Sequence, residues 1–283
     1  MIKLACMTWP YTGYSFERAL QGIAGAGYRY VAFGLPHEGK QIPESGDEAE
    51  AAEIVRQLDR FGLKAAMLVG TPWIAPGQPV ERAARLFAFA RMVGADEVIS
   101  LGTWGFRQFP DEPFDNSERT AADEEFAAQL RLVAVEAERA GVTVTLKPHT
   151  GNTATADVLK RTLASIGSPA VKASYDPGNV SYYEGIDPAE DFAAIADQTV
   201  SIIAKDHRGA RGNVDFPIPG RGDVDFAAIF RTLRTNGFAG PVVVERLDGT
   251  DSGPLSADEL DRRIADARSE LAKLLADAGL AAE

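Results

Sequence analysis

The residues best suited to chemistry follow four short apolar segments in the second half of the 283-residue chain. These polar residues are, segment by segment, Lys147 and His149; Asp176 and Asn179; Lys205, Asp206 and His207; and Glu245 with Arg246. Carboxylates and imidazoles move protons, and a lysine stabilises a developing negative charge or forms a Schiff base with a carbonyl. The set therefore contains the base and the electrophile needed for proton transfer next to a carbonyl group.

The rare aromatic and imidazole side chains show the same placement. Trp9, Trp73 and Trp104 follow predicted strands, and so do His37, His149 and His207, which are all the tryptophans and histidines of the chain. A single loop tryptophan or histidine usually has only a packing or solvated role. Six such residues on one side predict a binding rim, where flat rings contact sugar faces and imidazoles form hydrogen bonds.

Apolar segments and helical patterns alternate along the whole chain. The predicted strands are Ile2–Met7, Tyr28–Leu35, Leu63–Val69, Glu97–Leu101, Val142–Leu146, Val171–Tyr175, Val200–Ala204 and Val242–Glu245. The predicted helices are Ser15–Ala26, Asp47–Phe61, Val80–Val93, Ala121–Ala140, Ala154–Ile166, Pro188–Ala196, Phe226–Asn236 and Ala257–Ala278.

Eight strand–helix pairs without a break in composition predict a single α/β domain, residues 1–283, folded as a closed (β/α)₈ TIM barrel. Glycines such as Gly94 and Gly141 end predicted helices just before a strand, as left-handed helix ends often require. The longest connections are strand-to-helix segments, on the barrel face where active sites are built. The polar strand ends and the aromatic rim are thus expected at one mouth.

Composition narrows the classes of partner. The formal net charge is −12 and basic runs are absent, so neither nucleic acid nor an anionic membrane surface is expected as a partner. There is no apolar run of membrane-spanning length and no signal-peptide pattern, and Cys6 is the sole cysteine. We therefore expect a cytoplasmic protein with a small-molecule, sugar-like substrate. The oligomeric state is left open, with a homo-oligomer as one option.

Four sequence motifs carry a family resemblance. They are Asp176-Pro177-Gly178-Asn179, Lys205-Asp206, the stretch from Pro219 to Phe226, and Gly237-Phe238-Ala239-Gly240-Pro241 leading into Glu245. With these motifs the chain resembles the sugar phosphate isomerase/epimerase group of xylose isomerase-like barrels. The resemblance covers essentially the whole chain, and it implies a TIM barrel whose mouth processes a sugar or polyol.

The resemblance also implies a divalent metal held by Glu, Asp, His and Glu on strands five to eight. Asp176 and Glu245 match two of these ligands, but Lys147 stands at the strand-five position and Ile203 at the strand-seven position. An ammonium repels a cation and isoleucine has no donor atom, so no metal cofactor is expected. The alternative is Mn²⁺ or Mg²⁺ bound by Asp176 and Glu245 with His149 or His207.

The favoured function is an isomerase or epimerase acting on a small hydroxy-carbonyl compound, without a metal. Glu245 is the expected base, Asp176 orients substrate hydroxyls, and Lys147 is the electrophile. The remaining predicted catalytic residues are His149, Lys205 and His207, and the predicted substrate-binding residues are Trp9, His37, Trp73, Trp104, Asn179, Asp206 and Arg221. A Schiff base on Lys147 would instead indicate a lyase or dehydratase acting on a keto-sugar, and a non-catalytic sugar-binding barrel is the third alternative.

Overall fold

The computed structural model describes residues 1–103, 105–251 and 253–283. It contains a closed barrel of eight parallel strands in sequence order, which confirms the predicted (β/α)₈ fold. The strands are β1 Lys3–Met7, β2 Tyr30–Phe33, β3 Lys64–Val69, β4 Glu97–Leu101, β5 Thr143–Lys147, β6 Val171–Tyr175, β7 Thr199–Ala204 and β8 Pro241–Val244. Pairing of β1 with β8, beginning at Lys3 and Pro241, closes the barrel.

A helix follows each strand. These helices are α1 Phe16–Gly25, α2 Glu48–Arg60, α3 Val80–Val93, α4 Asn116–Ala140, α5 Ala156–Ile166, α6 Pro188–Phe192, α7 Phe226–Thr235 and α8 Ala257–Asp277. Short helical turns lie between several strands and these helices; two of them, Thr71–Ile74 and Pro177–Asn179, follow β3 and β6 directly. No helix in the described part of the chain is long and apolar enough to cross a membrane.

Side-chain caps explain where the helices begin. The predicted cap Ser15 accepts a hydrogen bond from the backbone N–H of Arg18, and Asp225 accepts one from Ala228. The fourth helix begins five residues before its predicted start at Ala121, because the Asp115 carboxylate caps the first turn there. The sixth helix ends at Phe192 rather than Ala196, and a separate turn at Ala196–Gln198 leads into β7.

The barrel interior is filled mainly by small and apolar side chains below the mouth. Met7, Ile99 and Ile203 belong to this interior cluster, together with alanines from β1, β2 and β3. Deeper polar groups pair with one another: Thr145 and Ser201 both donate hydrogen bonds to Oε1 of the buried Glu97. A larger apolar cluster lies between the strands and the helices. The interior therefore forms a packed support under the polar strand ends.

Candidate active site

Two lysines and two carboxylates from four neighbouring strand ends meet at the barrel mouth. Lys147 ends β5, while Asp176, Lys205 and Glu245 immediately follow β6, β7 and β8. The Nζ atom of Lys147 lies 3.0 Å from Oδ2 of Asp176 and 2.5 Å from Oε2 of Glu245. Lys205 Nζ lies 3.1 Å from the same Asp176 oxygen and 2.5 Å from Oε1 of Glu245. The expected convergence of Lys147, Asp176 and Glu245 is confirmed by these distances, and Lys205 completes a buried quartet.

Electrostatics fixes the charge states within the quartet. Burial opposes ionisation of Lys147, but the charges of Glu245 and Asp176 outweigh it and raise the pKa of the ammonium. Burial likewise opposes ionisation of Glu245, yet the two lysines lower the pKa of its carboxyl group to about 2. Each lysine is balanced by carboxylates on both sides, so the buried quartet of two cations and two anions is neutral overall.

The turn after β6 explains why Asp176 is followed by Pro-Gly-Asn. Oδ1 of Asp176 accepts the backbone N–H of Asn179 and so caps the short helix that begins at Pro177. A Cβ atom on Gly178 would lie 2.6 Å from the backbone oxygen of Lys205, so only glycine fits this close approach. Asn179 then donates to the carbonyl of Pro148 and accepts from Lys205. The motif holds Asp176 and Lys205 together.

A cavity of about 370 Å³ opens above the quartet. Its polar lining comes from Thr71, Ser100, Lys147, His149, Asn179, Tyr183, Lys205, Glu245 and Arg246. The hydroxyl of Tyr183 lies 3.0 Å from Nε2 of His149. Burial, followed by the charges of Lys147 and Lys205, lowers the pKa of His149 to about 4, so its imidazole is neutral near pH 7.

Six predicted site residues line the cavity: Trp9, Lys147, His149, Asn179, Lys205 and Glu245. Asp176 lies directly behind them. Its side chain is 0% exposed and its oxygens are already bound by Asn179 and the lysines, so the structure does not offer it to substrate hydroxyls as expected. Its observed contacts position the two lysines.

Three predicted residues lie in the loop after β7, where their side chains bind other parts of the protein and do not line the cavity. Nε2 of His207 donates to the carbonyl of Asn213, while its Nδ1 lies 2.9 Å from the Ser181 hydroxyl. The Asp206 carboxylate accepts backbone N–H groups of the loop, from His207, Gly220, Gly222 and Val224. Arg221 points to α8, where it pairs with Asp266 and Glu270.

Two predicted aromatic positions are also packed away from the cavity. Nδ1 of His37 is within hydrogen-bond distance of the carbonyls of Tyr11 and Tyr14, and the ring is buried. Trp73 is buried in the apolar layer, with the guanidinium of Arg82 over its ring at 4.9 Å. Both residues do follow strand ends, but local packing buries their side chains in the protein interior and directs them away from the cavity. Trp104 lies outside the described residues.

The predicted site residues did not include Tyr183 and Phe216, which line the cavity, and Arg246 was placed at a strand end without an assigned role. The Arg246 guanidinium stacks on Phe216 at 3.7 Å, lies 5.6 Å from the centre of the Trp9 ring and pairs with Asp248. Because Arg246 directly follows Glu245 at the end of β8, the sequence already indicated that it lies at the barrel mouth. Tyr183 lies in the π-helical turn Val180–Glu184 and Phe216 in the long loop after β7, where the sequence pattern does not indicate side-chain direction.

The donor atoms at this mouth do not fit the divalent metal that the resemblance implies. Each carboxylate of the quartet is held by two ammonium groups, and Ile203 belongs to the apolar interior. His207 is bound by its own loop, and His149 lies beside two positive charges. Within residues 1–103, 105–251 and 253–283, no three His, Cys, Asp or Glu side chains group as metal ligands. A cation would have to displace a paired lysine.

Solved structures with this fold include a xylose isomerase domain protein from Alicyclobacillus acidocaldarius, 22% identical, with a TM-score of 0.74 over 99% of this chain and 100% of that one. L-ribulose 3-epimerase is 20% identical, with a TM-score of 0.71 over 98% and 96%. A Mycobacterium smegmatis xylose isomerase-like TIM barrel protein in complex with magnesium is 15% identical, with a TM-score of 0.77 over 98% of both chains.

No curated protein shows significant sequence similarity to this chain. A family model does match it, over residues 20–274, and that model describes the xylose isomerase-like TIM barrel. Because the match spans most of the chain and agrees with the closed eight-stranded barrel, this protein belongs to the xylose isomerase-like TIM barrel family.

Proposed function

We propose that this protein is an enzyme that isomerises or epimerises a small hydroxy-carbonyl compound, of the sugar or polyol class, without a divalent metal. The observation that carries the proposal is the pair of buried ammonium groups of Lys147 and Lys205, which face the cavity and are both held by Asp176 and Glu245. Together the two lysines carry the same charge as one divalent cation. L-ribulose 3-epimerase, a relative in fold, gives the proposal further support.

The ammonium groups are the electrophile. Removal of a proton next to a carbonyl produces an enediolate, and a fixed, buried positive charge stabilises the developing oxyanion. The raised pKa of Lys147 keeps its amine protonated, which favours this role over a Schiff base. The lyase or dehydratase alternative requires a neutral amine, and the two neighbouring carboxylates oppose that state.

Glu245 is the proposed base, because it is the carboxylate of the quartet that lines the cavity. Its pKa of about 2 makes it a weak base while both lysines hold its oxygens. A substrate oxygen that accepts hydrogen bonds from Lys147 and Lys205 would withdraw them from Glu245 and strengthen it as a base. Neutral His149, next to Tyr183, is positioned to return or remove a second proton.

Proton exchange in D₂O tests this function. D-fructose, D-ribulose and dihydroxyacetone are incubated with the enzyme after chelator treatment, and loss of the ¹H signal next to the carbonyl is followed by NMR. We expect enzyme-dependent exchange that falls about 100-fold or more in Lys147→Met, as for loss of one stabilising group at an oxyanion. Lys64→Met, at an exposed lysine that begins β3, is the matched control and should retain the wild-type rate.

Binding of these compounds without any exchange or product would contradict the proposal and favour a non-catalytic sugar-binding barrel. Exchange that disappears with chelator and returns with Mn²⁺ or Mg²⁺ would contradict its metal-independent part. Trapping of a substrate adduct on Lys147 by borohydride would favour the lyase alternative, because only a Schiff base is reduced in that way.

A further inference from the structure

The cavity above the quartet has two chemically different halves. The half built after β5 to β8 carries the charged and imidazole groups, Lys147, Lys205, Glu245, Arg246 and His149. Within the described part of the chain, the half built by β1 to β4 and the segments after them contributes no charged side chain to the lining. Besides Trp9, its apolar members are Met7, Leu35, Val69, Pro72, Ile99 and Leu101.

The two hydroxyl groups in the apolar half already have partners. Ser100 Oγ lies 3.3 Å from Thr71 Oγ1 and 3.2 Å from the carbonyl oxygen of Leu101. A ligand hydroxyl on this side could bond only to the remaining donor and acceptor sites of these two groups; elsewhere in this half it would lie against apolar side chains. Burying a hydroxyl without a hydrogen-bond partner is unfavourable, so this wall selects against a ligand that is hydroxylated along its whole length.

We propose that the substrate is a hydroxy-carbonyl compound with an apolar substituent, aromatic or branched aliphatic. This inference rests on the proposed function: it keeps the reaction and replaces the sugar or polyol class by hydroxy-carbonyl compounds with fewer hydroxyl groups. The hydroxy-carbonyl end contacts Lys147 and Lys205, and the substituent packs against the wall formed by Leu35, Ile99 and Leu101. Such a ligand matches the polarity of both halves, because its polar end meets the donors and its apolar end replaces water at the hydrocarbon surface.

A second cavity lies on the other side of Trp9. This second cavity, of about 330 Å³, shares Trp9 with the first and is lined mainly by apolar or aromatic groups such as Tyr14, Leu247, Leu255 and Leu260. The Trp9 side chain is the common wall, and the residue is 37% exposed. This second cavity adjoins the strand-eight side of the first, because Leu247 and Asp248 follow Arg246, and Asp248 is a charged residue of its lining.

Three probes with one reactive group test the inference: hydroxyacetone, 2-hydroxyacetophenone and dihydroxyacetone, whose carbonyls carry a methyl, phenyl and hydroxymethyl substituent. Isothermal titration gives the Kd, and ¹H NMR in D₂O gives exchange at the shared hydroxymethyl group. We expect 2-hydroxyacetophenone to bind about 10- to 100-fold more tightly than hydroxyacetone, as burial of an aromatic side chain implies. Dihydroxyacetone should bind most weakly.

A matched pair of variants locates the effect. Leu35→Asn places an amide in the apolar half and should weaken 2-hydroxyacetophenone binding about tenfold while changing hydroxyacetone binding little. Leu132→Asn makes the same substitution at a 57% exposed position on α4 and should change neither Kd. Thermal unfolding of both variants checks that they fold.

The outcomes separate this inference from the proposed function. Tightest binding of 2-hydroxyacetophenone supports the inference even where no probe exchanges its proton, a result that would contradict the proposed function alone. Rapid exchange with dihydroxyacetone, together with weaker or no binding of 2-hydroxyacetophenone, overturns the inference and leaves the function intact. Equal Kd values for the three probes, or an unchanged Kd in Leu35→Asn, overturn it as well.

Discussion

Lys147 and Lys205 share one oxygen of Asp176, whose Oδ2 atom lies 3.0 Å from the first ammonium and 3.1 Å from the second. Two like charges are thereby held close together in a buried site, an arrangement that is unfavourable without compensating anions. Asp176 supplies one anion from below, and Glu245 supplies the other with a separate oxygen for each lysine. The pair of cations is therefore built into the fold before any substrate binds.

Removing one cation should unbalance the quartet. Lys147→Met leaves two buried carboxylates with one lysine, and we expect the free energy of unfolding to fall by about 3–5 kcal/mol, as for a broken buried ion pair. Adding Glu245→Gln to that variant restores charge neutrality and should recover much of the stability, but not the activity. Urea unfolding followed by circular dichroism measures both effects. If Lys147→Met alone were as stable as the wild type, water would reach the quartet more than its burial indicates, and the expected loss of stability would be contradicted.

Chelation should leave the activity unchanged. Since a cation would have to displace a paired ammonium, EDTA treatment and metal add-back are expected to alter the proton-exchange rate by less than about twofold. Lys147→Glu with Ile203→His supplies the two ligand types that the resemblance implies at those positions. This double variant should bind Mn²⁺, as measured by isothermal titration, whereas Lys147→Glu alone should bind it more weakly. Tight Mn²⁺ binding by the natural chain would contradict the proposed metal-independent site.

His149 should remain neutral through the working pH range. Its pKa is lowered to about 4 by burial and then by the charges of Lys147 and Lys205, so protonation should begin well below pH 6. NMR titration of the imidazole checks this, and catalytic proton exchange should decline as the pH falls through about 4. In Lys147→Met one neighbouring positive charge is gone, so the His149 pKa should rise, whereas Lys64→Met should leave it unchanged. A wild-type pKa near 6.5 would contradict the described burial.

Glu97 should make stability depend on pH. Burial raises the pKa of its carboxyl group to about 7, only partly offset by hydrogen bonds from Ser201 and Thr145. The pKa of Glu97 in the folded state lies above its value in the unfolded chain. Its contribution to the free energy of unfolding is therefore fully present below pH 4.5 and is lost as the pH rises through 7. The shift corresponds to roughly 3 kcal/mol. The stability of Glu97→Gln, measured as its free energy of unfolding relative to the wild type, should therefore increase between pH 4.5 and pH 8. A relative stability that does not change with pH would contradict this prediction.

The sequence by itself determined the barrel and the composition of its mouth. Eight alternations of strand and helix pattern allow few topologies, and residues that follow parallel strands must emerge at the same face. That rule alone brings Lys147, Asp176 and Glu245 together. Lys147 and Ile203 also stand where the resemblance implies metal ligands, and the structure pairs Lys147 with the two carboxylates and places Ile203 in the apolar interior; metal independence stays a prediction.

The tertiary structure decided which of the rim residues reach the cavity. Following a strand fixes the face on which a residue lies, but the path of the loop and its packing fix the direction of the side chain. Asp206 binds the backbone of its own loop, Arg221 turns to α8, and Trp73 and His37 pack into the wall. Lys205 is drawn inward because Gly178 permits a backbone approach that any other residue would block. Such contacts join segments far apart along the chain, and no local pattern of residues encodes them.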